Sequence, residues 1–190
     1  KSLLISSTKG GDGSAMMFSF FPNTIRDISD NTNSLQSHVR ATEFADIIPP
    51  SLINATINYG TGEILLVFSE TIYVSSINVS NLRISNTSIL GKGDKLGGAN
   101  VFDSNTDLQQ VVTIKLSEDD RVLALKASGT PGGDGSNAFL HLMAFTFRDI
   151  GLNWNLESQV LQFNEIVDSI KPAILSATIN FGDGALVFHS

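Results

Sequence analysis

The feature of this chain that most restricts its fold is a self-similarity at one fixed spacing. Residues 50–70, PSLINATINYGTGEILLVFSE, return in altered form as residues 172–190, PAILSATINFGDGALVFHS, an offset of 122 residues without a gap. Carried upstream, the same offset sets Gly10-Gly11-Asp12-Gly13-Ser14 against Gly132-Gly133-Asp134-Gly135-Ser136, and Arg26-Asp27-Ile28 against Arg148-Asp149-Ile150. Asn31 and Asn33 fall on Asn153 and Asn155, and Glu43, Asp46, Ile48 and Pro50 fall on Glu165, Asp168, Ile170 and Pro172. About a third of the overlapping positions are identical, which is the signature of an array. The period exceeds the roughly 20–50 residues of a solenoid unit, so each period is expected to be a domain with its own core.

The expected boundaries follow from proline, which interrupts a hydrogen-bonded ladder and stiffens a connection. Cuts at Asp46-Ile47-Ile48-Pro49-Pro50 and Asp168-Ser169-Ile170-Lys171-Pro172 leave residues 1–45 as the C-terminal part of one repeat. Residues 46–167 form a complete repeat and residues 168–190 the start of the next. The chain therefore reads as one period plus overlap from a longer polypeptide. The two end pieces together lack equivalents of residues 70–122, so they cannot make a whole sandwich between them.

Inside the repeat the pattern has period two. Ile53, Ala55, Ile57 and Tyr59 alternate with Asn54, Thr56 and Asn58, and Leu175, Ala177, Ile179 and Phe181 repeat the alternation. Gly60-Thr61-Gly62 supplies the turn, and Ile64, Leu66 and Phe68 line the core face of the next strand. Further strands are expected at residues 79–85, 110–116, 122–127, 138–147 and 159–166, with no helical segment. Residues 87–107, rich in Gly, Asn and Asp, are expected to form an exposed loop with a short extra strand near Val101. Within 138–147 both faces are apolar, which suits a central strand covered by a loop or an apolar contact between domains. The sum is an all-β sandwich.

At Gly62-Glu63-Ile64-Leu65-Leu66-Val67-Phe68-Ser69-Glu70-Thr71-Ile72 the chain resembles bacterial-type immunoglobulin-like tandem repeats of S-layer proteins, adhesins and extracellular fibrils. Such repeats open on a proline linker, carry a strand ending in Phe-Ser-Glu and close on an Asp-x-x-Gly-Asn turn. Asp149-Ile150-Gly151-Leu152-Asn153 approximates that turn with one inserted residue. The unit is also longer than usual, with the excess at 87–107. The resemblance implies an immunoglobulin-like β-sandwich in tandem repeats, an extracellular or cell-surface location, and a structural role without enzyme activity. Its alternative is an adhesin whose 87–107 loop binds a glycan or protein ligand.

Composition narrows the chemistry. Formal net charge is −7 and the 12 Lys and Arg are dispersed, so no basic patch points to nucleic acid. Cysteine is absent, which removes disulfides and thiolate chemistry. No apolar run reaches the roughly 18 residues of a bilayer span. His38, His141 and His189 show no metal-binding spacing, and Glu118, Asp119 and Asp120 read as a solvated hairpin turn. Three Asn-x-Ser/Thr acceptors, Asn54, Asn78 and Asn86, are candidate N-glycosylation sites. Asp12, Asp134, Asp149, Asn153 and Asp168 are weak calcium candidates, since no Asp-x-Asp ladder accompanies them and Asp-Gly is ordinary turn chemistry. No cofactor is expected, and the expected partners are neighbouring repeats of the chain or fibril, with carbohydrate second.

Overall fold

The computed structural model describes residues 4–102 and 106–189. In chain order the strands are β1 (Met17–Phe20), β2 (Gln36–Arg40), β3 (Leu52–Asn58), β4 (Glu63–Tyr73), β5 (Leu82–Ser85), β6 (Asp94–Lys95), β7 (Asn100–Val101) and β8 (Leu108–Lys115). The helix α1 (Glu118–Lys126) follows, and then β9 (Phe139–Leu142), β10 (Gln159–Gln162), β11 (Asn164–Ile166), β12 (Ser176–Asn180) and β13 (Ala185–His189). The molecule is all-β apart from that one short helix and two 3-10 turns.

Two sheets face each other across one core. The first has the order β11-β3-β4-β8-β7, antiparallel except where β11 runs parallel to β3; the second has the order β10-β9-β5-β6. Between them Ala55, Ile57, Tyr59, Ile64, Leu66 and Phe68 from the first sheet meet Leu82, Ile84, Leu140 and Leu142 from the second, all buried in one cluster. Phe68 and Phe147 pack edge to face at 4.6 Å between centroids. Each large apolar side chain so buried contributes about 1.5–3 kcal/mol before entropy is counted, which makes this the principal cohesive term.

The strand pattern holds with one shift. A bulge between Leu52 and Asn54 turns Ile53 outward, 59% exposed, and puts Leu52, at 3%, into the core position expected for Ile53. Residues 159–166, expected as a single strand, divide at Phe163. Its ring is buried and its N–H donates to the Ala138 carbonyl at 2.9 Å, so β10 stays in one sheet while β11 crosses to the other. The Glu165 carboxylate fixes this crossing by accepting from the Tyr59 hydroxyl at 3.0 Å, Gly129 N–H at 3.2 Å and Ala138 N–H at 3.1 Å.

The expected strand at 122–127 is a helix. Ser117 caps it by accepting from Asp120 N–H at 3.2 Å, and Glu118, Asp119 and Asp120 in the first turn with Lys126 in the last match the helix dipole. The three carboxylates are therefore a helix start rather than a hairpin. Asp120 is also buried, its two oxygens accepting Gly97 and Gly98 N–H at 3.1 and 2.9 Å. That contact anchors the 87–107 segment, which contains β6 and β7, with 103–105 outside the described residues. The outer face of β9 is covered at His141, which is fully buried with Nε2 at 2.8 Å from the Thr87 carbonyl, and burial pushes its pKa down.

Stretches 122 residues apart make matching turns. Asn33 Oδ1 accepts Ile25 N–H at 2.8 Å, as Asn155 Oδ1 accepts Phe147 N–H at 3.0 Å. Asn31 donates N–H and Nδ2–H to Asp27 at 2.9 and 3.0 Å, as Asn153 does to Asp149 at 2.8 and 3.0 Å. Positive φ recurs in pairs, Asn23 with Phe145, Asp30 with Leu152, and Gly13 with Gly135. Glu43 takes Met16 N–H at 3.0 Å and Ser7 N–H at 2.9 Å, the counterparts of Ala138 and Gly129 around Glu165.

Asn155 is the brace most open to test. It is 2% exposed, and it also accepts Thr146 N–H at 2.7 Å and donates to the Met143 carbonyl at 2.9 Å. Asn155→Ala leaves two buried N–H groups unpaired and is expected to lower stability by about 2–4 kcal/mol. Urea unfolding should show this as a lower midpoint with an unchanged slope.

Candidate functional site

The densest grouping of chemically capable side chains lies at one end of the sandwich, where β4, the β9–β10 connection and the linker before β3 converge. Asp46, Glu70 and Asp149 each bring a carboxylate oxygen within 4.8 Å of the other two. Asp149 is fully buried and the other two are half-buried. The placement follows from local structure. The Asp149 carboxylate closes its own turn through Asn153 N–H and Nδ2, and the same Nδ2 reaches the Asp46 carbonyl at 3.1 Å. Gly151 packs so close that a Cβ there would lie 2.9 Å from Asp46 Cβ. Glu70 sits in β4 directly after Phe68-Ser69.

Packing three carboxyls together in a partly dry pocket raises the cost of ionising the least stabilised one. That one is Glu70: burial first, then the negative charges of Asp149 and Asp46 and a hydrogen bond with Asp46, push its pKa up from the ordinary carboxylate value. These three are the groups that could hold a hard cation among the described residues. They supply three oxygens against the roughly six to eight of a calcium shell, so backbone carbonyls and water would have to complete it.

Of the calcium candidates read from the sequence, Asp149 and Asn153 are in this grouping. Asp168 is at the opposite end of the β3–β4 hairpin, paired with Arg121 Nη1 at 3.3 Å. Asp134 is exposed and accepts Ser136 N–H at 2.8 Å and Asn86 Nδ2 at 2.7 Å. Asp12 closes the matching loop through Ser14 N–H at 2.8 Å. Glu70 was not read as part of a site. The signal was present in the Phe-Ser-Glu strand end and the Asp-Asn turn, two motifs that the fold brings together.

All three sequon asparagines are exposed. Asn54 Oδ1 accepts from Asn164 Nδ2 at 2.9 Å, and Asn86 uses its own Nδ2 on Asp134. Asn78 caps a 3-10 turn, accepting Ser80 Oγ–H at 2.6 Å and leaving its Nδ2 without a hydrogen bond among the described residues. A concave feature of about 510 Å³ lies between the 87–107 segment and α1, with Asn86, Ile89, Lys92, Leu123, Lys126 and Asp134 among its walls. No helix among the described residues is long and apolar enough to cross a membrane.

No family model matches the chain. No curated protein is similar to it at a significant level. Among solved structures, the N-terminal part of the bacterial S-layer protein SbsC is similar over 70% of this chain at 18% identity and a TM-score of 0.40. The similarity covers 26% of that solved chain.

The carboxylate grouping gives a pH test. A folded-state pKa above the unfolded value means that the stability tied to protonated Glu70 is present below the ordinary value of 4.5 and is lost as pH rises through the folded pKa. Glu70→Gln stays neutral at every pH. It is expected to raise the thermal midpoint at pH 7 and to change it little at pH 4. A midpoint lowered at pH 7 would show that the ionised trio is needed, as a bridging cation would require.

Proposed function

We propose that the chain is a structural piece of an extracellular fibril or stalk built from tandem immunoglobulin-like β-sandwiches with a 122-residue period, and that it carries no catalytic chemistry. The observation that carries this reading is the pairing of hydrogen bonds and positive-φ residues at that one offset, on either side of a two-sheet core. Under it, residues 46–167 are one complete domain, 1–45 the close of its predecessor and 168–190 the opening of its successor.

Short linkers suit a stiff array. Lys9 Nζ reaches the Leu152 carbonyl at 2.9 Å, and Gly10 lies against Ile150 so closely that a Cβ would meet its carbonyl oxygen. The preceding piece therefore touches the next unit directly as well as through the linker, which limits bending between units. The exposed sequons and sparse charge fit a secreted, glycan-bearing surface, with Asn54 and Asn78 the acceptors whose Nδ2 carries no hydrogen bond among the described residues. Electron micrographs of the native material are expected to show an axial repeat of one domain length; their showing none would remove this reading.

A second reading, an adhesin, is favoured by the concavity between the 87–107 segment and α1, because its walls include residues of the longest expected loop. On a glycan array, replacing residues 88–93 by a short Gly-Ser turn is expected to abolish any binding the native chain shows. Binding that survives the replacement would exclude that segment.

A further inference from the structure

Residues 86–93 leave β5, cross the outer face of the second sheet at His141 and return into β6, and little apolar burial holds them there. Ile89 and Leu90 are 62% and 49% exposed, so this strap is kept closed mainly by polar bonds to the body of the domain. Asn86 Nδ2 donates to Asp134 at 2.7 Å, Arg83 Nη1 donates to the Gly93 carbonyl at 3.2 Å, and His141 Nε2 lies 2.8 Å from the Thr87 carbonyl. Of the groups in these bonds, His141 is the one whose charge changes near neutral pH.

The surroundings of the His141 ring suit its neutral form alone. The ring is fully buried, and because a carbonyl can only accept, Nε2 carries the proton and Nδ1 is bare. Nδ1 is buried with no hydrogen-bond partner among the described residues. A second proton would put an N–H and a full charge where no acceptor waits, which costs far more there than in water.

Strand register adds to that cost. Lys95 pairs with Arg83, Arg83 with His141 and His141 with Val160, one lateral row across β6, β5, β9 and β10. Two fixed cations therefore stand on one side of the ring and an uncharged residue on the other. The remaining charged groups around the strap are Lys92 and Asp94 on its return, Lys126 on α1, and Asp134, all lining the concavity beside it. Asp134 is engaged by Asn86 and Ser136, and neither carboxylate bonds to the ring.

We propose that residues 86–93 are a pH-released strap, closed over a neutral His141 at pH 7 and above and loosened in acid, where the open chain offers the imidazole a proton and water. All of its parts lie between Leu82 and Val160, within one packed unit. Thr87, Ile89, Lys92 and Gly93 form one wall of the concavity of about 510 Å³ against α1, so loosening the strap widens that space, while Leu140 and Leu142 on the core face of β9 stay packed. Burial above all, with the charge of Arg83, outweighs the Thr87 bond and pushes the ring's pKa below its ordinary value of 6.5. The stability that closure draws from the neutral ring is therefore whole above that value, is lost as the pH falls below it, and stops falling once the ring is protonated within the closed strap.

Amide hydrogen exchange of the whole chain, corrected for the intrinsic effect of pH, tests this at Thr87, Ile89 and Lys92, whose N–H groups are hydrogen-bonded in the closed strap. Their protection is expected to fall severalfold between pH 7.5 and pH 5, with β3 and β4 unchanged. His141→Gln keeps a side-chain donor for the Thr87 carbonyl but takes no charge, and it is expected to hold the strap equally at both pH values. Protection that does not change with pH in the native chain, or a fall of the same size in His141→Gln, would overturn the proposal. Should the glutamine fail to pack, the native chain decides by itself. Its exchange curve is expected to flatten at the pH where the His141 ring nitrogens show protonation by NMR, and a curve that ignores the ring's titration would equally overturn the strap.

Discussion

One carboxylate, Glu165, holds the crossing on which the sandwich depends. The chain must pass from the sheet containing β10 to the sheet containing β11 within a few residues, and a crossing strand leaves N–H groups on either side without ladder partners. Glu165 gathers those of Gly129 and Ala138 together with the Tyr59 hydroxyl, so three separate elements meet at one acceptor. Its charge and the burial of the ring push the Tyr59 hydroxyl's pKa up, burial being the larger cause. Within residues 1–45 Glu43 makes the corresponding clasp without a tyrosine. Serine hydroxyls take its place, and their hydrogen bonds, Ser6 first and then the Met16 N–H, bring the Glu43 carboxyl down to about 2.

At the other end of the hairpin the electrostatics reverse. Acceptors outnumber donors around Asp46, Glu70 and Asp149, and Asn153 serves two of the three residues. The domain therefore has one end where a carboxylate is saturated by donors and one where carboxylates compete. Residues 1–45 meet the sandwich at this second end, where Asp46 lies just before β3 and Lys9 binds one residue before Asn153. Proton or cation occupancy there would act where the linker meets the sandwich, beside the core residues Phe68, Ile72 and Phe147.

How much of this was legible in the sequence depended on whether the determinant was local. The alternation in β3 and β4, the Gly60-Thr61-Gly62 turn and the fixed offset led to the central hairpin, because period-two burial and turn chemistry are written in adjacent residues. The bulge that exchanges Leu52 for Ile53 was not, since nothing in Ser51-Leu52-Ile53-Asn54 favours one register until β4 and Gln159 are in place. Helix α1 was missed for a different reason. Its Val122-Leu123-Ala124-Leu125 core resembles a buried strand, and the capping serine and acidic first turn before it were read as a hairpin. The Glu70 site joins residues far apart in the chain, so only its separate motifs could be seen.

The matching stretches 122 residues apart separate local from tertiary causes. Asp27, Asn31 and Asn33 make the same turn bonds as Asp149, Asn153 and Asn155 although Asp27 and Asn31 are exposed and Asn33 half-buried, whereas Asp149 and Asn155 are buried. Those turns are therefore set by side chain to backbone bonds alone. The ribbons beside them behave otherwise. β9–β10 keeps continuous pairing, whereas β1–β2 shifts register between Phe18 and Phe20, with His38 at a φ of 60°. With no opposing sheet to define a core face, a slip in pairing moves side chains between two solvated faces at little cost. The regular ladder of β9–β10 is thus a consequence of the sheet packed upon it, and the turns come first.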